Sequence, residues 1–240
     1  MKHITKYAVS AMLMLQSIHV AFAADAETEI LPPGMTLPKI AAPTIDGKFD
    51  PAEWGKAFSG KMSVNNHSGG KATNETLFYA GYDDNNLYVA FICPDEEMDK
   101  LALEVFPEGR DTLAWRNECV ELFLTPGEDS NYYTHFTLDA LGQKYDAWGS
   151  DPVGYNPEWQ RAVSRDDKQW VAEIAIPLSV ISDRKVVEGT QWRAGFFRNN
   201  AHRKEYSAWT PTFGAFEQVP RHGYVFFGTP QKAVESVGAF

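Results

Sequence analysis

Cysteine is scarce in this chain of 240 residues, which contains only Cys93 and Cys119. They form no CxxC pair, and no cluster of metal-ligand spacing accompanies them, so the sequence gives no indication of a zinc site. Both cysteines lie in apolar runs typical of strands. Two alternatives stay open: a disulfide between neighbouring strands, or two buried free thiols.

Positive charge is also scarce: 22 Lys and Arg stand against 32 Asp and Glu, which gives a formal net charge of −10. Nucleic acids and anionic membranes attract basic surfaces, so neither is an expected partner. The net charge gives no information about which neutral ligand the protein binds.

Long apolar runs are absent outside the first 23 residues, which have the features of a secretory signal. Lys2 and Lys6 form a basic start, an apolar run broken by polar residues follows, and Ala21-Phe22-Ala23 fits the small-x-small cleavage rule. The run is too short and too polar to span a membrane. We therefore expect cleavage after Ala23 and a secreted or periplasmic protein.

The rest of the chain divides into three segments. Residues 24–38 contain scattered acids and then several prolines, which predicts a flexible leader. Residues 39–230 are expected to form one folded domain, and residues 231–240 a C-terminal tail. The sequence leaves the oligomeric state open, with a monomer as the expectation.

Long amphipathic helices are not predicted, whereas short alternating segments recur between turn residues. The predicted strands are 58–64, 75–82, 87–93, 118–124, 132–138, 143–148, 159–164, 169–176, 192–198, 206–209 and 224–227. About ten short strands at this spacing favour an all-β fold, an antiparallel β-sandwich with jelly-roll or immunoglobulin-like connections.

The strand at 118–124 and the turn before it carry the chemistry of most interest. Alternation places Glu121 on one face and the intervening Val and Leu residues on the other, and Trp115 precedes the strand. An indole ring can stack on the C–H face of a sugar while a carboxylate accepts from its hydroxyls. The alternative is a core tryptophan beside a solvated glutamate.

Several segments occur in the order seen in family 9 carbohydrate-binding modules. They are Ile45-Asp46-Gly47, the hairpin at 83–89, the segment 115–121, the segment 192–198 with Ser207-Ala208-Trp209-Thr210-Pro211, and the closing segment 216–223. Over roughly residues 39–228 the chain resembles this family. The resemblance implies a β-sandwich that binds an oligo- or polysaccharide, is not itself catalytic, and acts as an accessory to glycan-degrading enzymes.

The resemblance also implies a set of site residues. In the family two aromatic rings clamp a terminal sugar, and here Trp115 and Phe216 match them. Glu121 matches the acid that binds hydroxyls, and His135 takes the place of an arginine. The further polar contacts implied are Arg198, Asn117 and Asn199 or Asn200. An ion pair is the alternative for Arg198, and a strand-face histidine is the alternative for His135.

The resemblance implies no catalytic cofactor but allows a structural calcium ion. The acidic turn at residues 83–86 is the candidate site, with ordinary solvated turn acids as the alternative.

Two other classes of function stay open. A glycosidase needs two carboxylates flanking one bond. Its candidates by count are Glu118, Glu121, Asp139, Asp146 and Glu173, but Glu118 and Glu121 fall on opposite faces of one strand. A haem-binding electron-transfer domain of the related DOMON type needs axial ligands. Its candidates are Met62, Met98, His67, His135 and His202. Nothing in their sequence spacing indicates which two would act as a pair of axial ligands.

Overall fold

The computed structural model describes residues 33–107, 111–127 and 132–229. Its strands are β1 (Gly34–Leu37), β2 (Phe58–Asn65), β3 (Lys71–Tyr82), β4 (Asn86–Pro94), β5 (Cys119–Pro126), β6 (Thr134–Asp139), β7 (Lys144–Trp148), β8 (Gln160–Arg165), β9 (Gln169–Pro177), β10 (Gln191–Asn200), β11 (Glu205–Ala208) and β12 (Gly223–Phe227). Two single-turn helices, α1 (Pro51–Trp54) and α2 (Leu178–Ile181), accompany them. Short 3-10 turns lie at Met98–Lys100, Ala114–Arg116, Ala201–Arg203 and Val219–Arg221. Within the described ranges, no helix has the length and apolar character that crossing a membrane requires.

The strands follow one another in the order β7-β6-β5-β10-β11-β2-β3-β4-β9-β8, and every pair along this path is antiparallel. The sheet curls on itself, so that its two halves pack face to face. Phe78 of β3 stacks on Phe196 of β10 at 4.4 Å between ring centroids, although these strands are not neighbours. The predicted all-β antiparallel sandwich is confirmed.

The predicted flexible leader is wrong for its last residues, because Gly34–Leu37 forms β1. This strand pairs in parallel with β12, from Gly34 opposite Tyr224 to Leu37 opposite Phe227. Met35 and Leu37 are each 2% exposed, so both side chains belong to the core. The pairing joins the two ends of the domain, which local composition does not reveal. The predicted signal, residues 24–32 of the leader and the tail at 231–240 lie outside the described residues.

The Ile45-Asp46-Gly47 motif anchors one end of the sandwich. The backbone amides of Asp46 and Gly47 donate to Glu173 Oε2 at 3.0 and 2.8 Å, and Trp54 Nε1 donates to Glu173 Oε1 at 3.0 Å. Burial raises the pKa of the Glu173 carboxyl, although these donors favour its ionised form. The motif is therefore structural, and Glu173 is committed to it.

The two cysteines are free thiols, so the disulfide alternative is wrong. Cys93 lies on β4, between β3 and β9, whereas Cys119 lies on β5, between β10 and β6. Their strands are therefore not neighbours. Burial raises the pKa of Cys93 to about 12 and that of Cys119 well above its ordinary value.

Candidate functional site

Side-chain alternation along β5 is as predicted, and it builds the base of a cleft. Val120, Leu122 and Leu124 belong to the main core. On the opposite face, Glu121 lies between Phe197 of β10 and Thr137 of β6, and Phe123 lies between Gly195 and His135. Three adjacent strands therefore present acid, imidazole and aromatic groups on one outer face.

A cleft of about 640 Å³ lies over this face. Its lining residues are His67, Trp115, Glu121, Phe123, Tyr133, His135, Tyr145, Gly149, Ser150, Tyr206, Gly214, Ala215, Phe216 and Glu217. Four of the predicted site residues are among them: Trp115, Glu121, His135 and Phe216. The structure thus brings both predicted aromatic rings, and Glu121 and His135 of the predicted polar residues, to one cleft.

The floor of the cleft is aromatic and tightly packed. Phe123 and Phe197 are almost fully buried; His135 stacks on Phe123 at 4.0 Å and Phe216 stacks on Phe197 at 4.1 Å between ring centroids. Gly195 makes this packing possible. A Cβ atom there would come within 2.5 Å of the Phe197 ring, closer than packed atoms approach.

Trp115 stands at the cleft on the 3-10 turn Ala114–Arg116, with 36% of its surface exposed. Its ring makes an edge contact with Tyr145 at 4.7 Å, and Asn199 Nδ2 donates to its carbonyl at 2.7 Å. Burial raises the pKa of Tyr145 to about 12. The Trp115 ring is therefore supported along an edge and still accessible.

The polar group of the cleft is the pair formed by Glu121 and His135. Glu121 Oε2 lies 2.7 Å from His135 Nε2, and Thr137 Oγ1 lies 3.0 Å from the same nitrogen. This arrangement places a carboxylate and an imidazole side by side next to aromatic surface. Such groups can accept from and donate to the hydroxyls of a polar ligand.

Arg198 and Asn200 do not reach the cleft, so their prediction as ligand contacts is wrong. Both side chains point to the opposite face of β10 from Phe197 and Asn199, because side chains alternate along a strand. Arg198 is fully buried and donates to Thr76 Oγ1 at 3.2 Å, to the Pro94 carbonyl at 3.0 Å and to Asp95 Oδ2 at 3.3 Å. Asn200 Nδ2 donates to the same Asp95 oxygen at 3.3 Å.

Asn117 is also not a cleft residue, although it follows Trp115 closely in sequence. Its side chain is buried, accepts from the Glu104 amide at 2.8 Å, and donates to the Glu104 carbonyl at 2.8 Å and to Asp139 Oδ2 at 2.7 Å. These bonds tie the segment before Trp115 to the sheet, so the predicted ligand contact is wrong.

The carboxylates considered for catalysis are not gathered at the cleft. Of the five, only Glu121 lines it. The other four bind elsewhere: Glu118 to the amide and Nδ1 of His202, Asp139 to the amides of Leu141 and Gln143, Asp146 to Trp159 Nε1, and Glu173 to the motif described above.

The acidic turn proposed for calcium has other partners. Asp83 Oδ1 accepts from the amides of Asn85 and Asn86, each at 2.7 Å, and Oδ2 accepts from the Tyr88 hydroxyl at 2.7 Å. Because both oxygens face N–H and O–H donors, the turn as folded does not fit a cation. Among the described residues, no group of three or more His, Cys, Asp or Glu is arranged to hold a metal.

The candidate haem ligands are spread over the molecule. His67 and His135 line the cleft, Met62 is buried in the core, Met98 packs against the core, and His202 bonds to Glu118. No methionine lies among the residues that line the cleft, so the predicted ligands supply no Met–His pair there.

The sequence did not single out several aromatic and polar residues of the cleft: Tyr133, Tyr145, Tyr206, Ser150 and Glu217. Alternation along 143–148 places Tyr145 on one face of its strand. Only the strand order brings that face beside Trp115.

Comparison with known proteins finds a matching family and similar folds. A family model described as carbohydrate family 9 binding domain-like matches residues 45–215. A search of curated proteins gives no significant match.

Solved structures similar to this chain include a family 9 carbohydrate-binding module from Caldicellulosiruptor kristjanssonii in complex with glucose, at 17% identity and a TM-score of 0.62, covering 84% of this chain and 99% of that chain. The structure of a family 9 module from the same organism with cellotriose gives 18% identity and a TM-score of 0.60, covering 86% and 100% of the two chains. A putative carbohydrate-binding protein from Bacteroides uniformis gives 16% identity and a TM-score of 0.63, covering 81% and 99%.

At these identities the likeness of the solved structures concerns the fold. The family model, by contrast, matches more than half of the sequence. The chain therefore belongs to the carbohydrate family 9 binding domain-like family.

Proposed function

We propose that this protein is an exported carbohydrate-binding module without catalytic activity of its own. It holds a sugar ring against Trp115 and Phe216, while Glu121 and His135 bind the sugar hydroxyls. The observation that carries the proposal is that these four residues, from three separate parts of the chain, line one cleft with an aromatic floor. Sugars combine apolar C–H faces with hydroxyl edges, and a cleft of this composition offers a partner to each.

The ligand we propose is a neutral saccharide built of glucose units. The two family 9 structures named above hold glucose and cellotriose, and the present cleft has a similar fold around it. Its described lining residues include no lysine or arginine, whereas Glu121 and Glu217 are present. Such a lining offers an anionic glycan no guanidinium or ammonium group to pair with its charge.

A binding role is supported further by the placement of the carboxylates. Hydrolysis of a glycosidic bond needs an acid and a second carboxylate facing each other across the bond. Of the five candidates only Glu121 lines the cleft, where its partner is His135 at 2.7 Å; the other carboxylate of the cleft, Glu217, is exposed on the loop that carries Phe216. The protein would then act beside glycan-degrading enzymes and leave cellotriose uncut.

Titration calorimetry of the purified mature protein with glucose and cellotriose tests the proposal, after a glycan array has ranked other sugars. We expect saturable binding at one site and no release of glucose from cellotriose on prolonged incubation. Failure to bind any glycan on the array would contradict the proposal. A Soret absorption band in the purified protein would favour the haem-binding alternative.

Export is proposed from the sequence, on the basic start, the apolar run and the Ala21-Phe22-Ala23 site. Mass spectrometry of the protein from its native host should find Ala24 as the first residue, in the periplasmic or culture fraction. A chain recovered from the cytosol with Met1 in place would refute export.

A further inference from the structure

Phe216 lies on a segment without regular secondary structure, between β11 and the 3-10 turn Val219–Arg221. A ring on such a loop is pre-positioned for binding when contacts with the rest of the fold hold the loop in place. The stack of Phe216 on Phe197 is nearly parallel, with 9° between the ring planes, and therefore depends on where the loop holds the backbone. The structure shows what fixes it.

Asn66, immediately after β2, is fully buried and bonds to three successive residues of this loop. Its Oδ1 accepts from the Thr212 amide at 2.8 Å and lies 3.1 Å from the Thr212 hydroxyl, and its Nδ2 donates to the Gly214 carbonyl at 2.8 Å. Its own carbonyl accepts from the Phe213 amide at 3.0 Å. The Asn66 side chain thus makes hydrogen bonds to the loop backbone of the kind that a neighbouring strand makes within a sheet.

The loop needs such support because of its backbone conformation. Phe213 has φ of 60°, in the left-handed region that is unfavourable for a bulky residue. Conformations of this kind persist where surrounding contacts hold them. The contacts of Asn66 reach the residue before Phe213, Phe213 itself and the residue after it.

We propose that Asn66 is a positioning residue for ligand binding, which sets the place of the Phe216 ring without touching the ligand. Asn66 is not among the residues that line the cleft, so it acts through the loop at 212–216. The inference rests on the proposed carbohydrate-binding function for its effect on affinity, but its effect on the Phe216 ring stands independently of any ligand.

Asn66→Asp is the informative variant, because it keeps the shape and the acceptor for Thr212. It replaces the donor to Gly214 with an oxygen that repels the Gly214 carbonyl. We expect calorimetry to show cellotriose binding weakened roughly threefold or more. In a Phe216→Ala background the same change should weaken binding no further, since the ring it positions is gone. An equal loss in both backgrounds, or no loss in the parent, would overturn the proposal.

Asn65→Asp is the matched control. Asn65 Oδ1 accepts from the amides of His67 and Ser68, at 3.1 and 3.0 Å, and a carboxylate preserves that capping. Its Nδ2 lies 3.5 Å from Glu205 Oε2, so this variant, like Asn66→Asp, exchanges an N–H donor for an oxygen that repels the acceptor. Among its described contacts, none is to the Phe216 loop, so binding should remain within error of the parent. If Asn66→Asp does not fold, Thr212→Val removes the hydroxyl contacts to Asn66 Oδ1 and to the Gly214 carbonyl, at 3.1 and 3.3 Å, and keeps the backbone bond to Asn66, and the same cycle with Phe216→Ala applies.

A measurement without sugar separates this inference from the proposed function. With 4-fluorophenylalanine at position 216, the parent should give one narrow fluorine resonance, and Asn66→Asp should broaden or split it. An unchanged resonance would overturn the positioning role even if sugar binding is confirmed. If the parent binds no sugar, the proposed function fails, while the fluorine spectrum still decides whether Asn66 holds the ring.

Discussion

Trp115 makes an edge contact with Tyr145, is 36% exposed and belongs to none of the described core clusters, so its removal opens no cavity in those clusters. Aromatic residues at the centre of small interfaces carry much of the binding free energy. We expect Trp115→Ala to weaken cellotriose binding at least about tenfold, or ~1.4 kcal/mol, by calorimetry. Its melting temperature should stay within a few degrees of the parent.

Trp148 offers the matched control for that change. It is 39% exposed, lies on β7 and is not among the residues that line the cleft. Trp148→Ala should bind cellotriose as the parent does. Normal binding by Trp115→Ala, or a melting temperature far below that of the parent, would identify Trp115 as a structural residue.

His222 contacts the backbone of Phe216, and its titration should change the free energy of unfolding. Its Nε2 donates to the Phe216 carbonyl at 2.7 Å, and burial lowers its pKa from 6.5 to about 4. At pH values between about 4 and 6.5, His222 binds a proton in the unfolded chain but not in the folded chain. The free energy of unfolding therefore falls as pH falls, by up to about 1.4 kcal/mol per pH unit from this group.

His222→Gln retains an N–H donor for Phe216 and does not titrate. Urea unfolding at several values of pH between 4.5 and 7 should show a shallower slope for this variant than for the parent. Parallel slopes would mean that His222 titrates alike in the folded and unfolded chains.

For single residues, the sequence indicated which side chains have suitable chemistry for a sugar better than it indicated which face of the sheet they occupy. Trp115 and Glu121 were identifiable because they lie on one short strand and the turn before it, where alternation is reliable. Arg198 and Asn200 have equally suitable chemistry for a sugar, but they face Asp95 on the other side of β10. Which face of β10 meets the cleft follows from its pairing with β5, a contact between distant segments.

At the level of elements, the predicted strands match the observed ones closely wherever alternation is bounded by turn residues. For example, the predicted strand at 169–176 corresponds to the observed β9 (Gln169–Pro177). The missed element is β1, which has four residues, follows two prolines and includes a glycine. Its stability comes from burial against β12 rather than from local propensity, so no sequence window reveals it.

The contribution of β1 can be measured by truncation. A chain beginning at Lys39 loses Met35 and Leu37, each worth about 1.5–3 kcal/mol when fully buried, so its free energy of unfolding should fall by roughly 3–6 kcal/mol. A chain beginning at Pro33 keeps the strand and is the reference for this measurement. Equal midpoints for the Lys39 and Pro33 chains would show that β1 adds nothing.

Across the whole molecule, the two thiols should behave as separate, protected groups. Cys93 and Cys119 are fully buried on strands that are not neighbours. Thiol titration of the unreduced, denatured protein should find two free thiols per chain, and the native protein should react far more slowly because burial raises both pKa values. Finding no free thiol would show that the chain rearranges to form a bridge.

The alternation along β5 has a consequence for the molecule as a whole. Glu121, at the cleft, lies between Val120 and Leu122, which belong to the core that joins the two halves of the sandwich. The proposed ligand contacts and the core contacts are thus offset by one residue on the same strand, and they are lost together when the domain unfolds. Binding is then linked to global unfolding: a ligand at a hundred times its Kd should add about 2.7 kcal/mol to the free energy of unfolding. For a domain of this size that corresponds to roughly 5–10 °C in melting temperature, so a thermal-shift screen of sugars reads occupancy of the cleft directly.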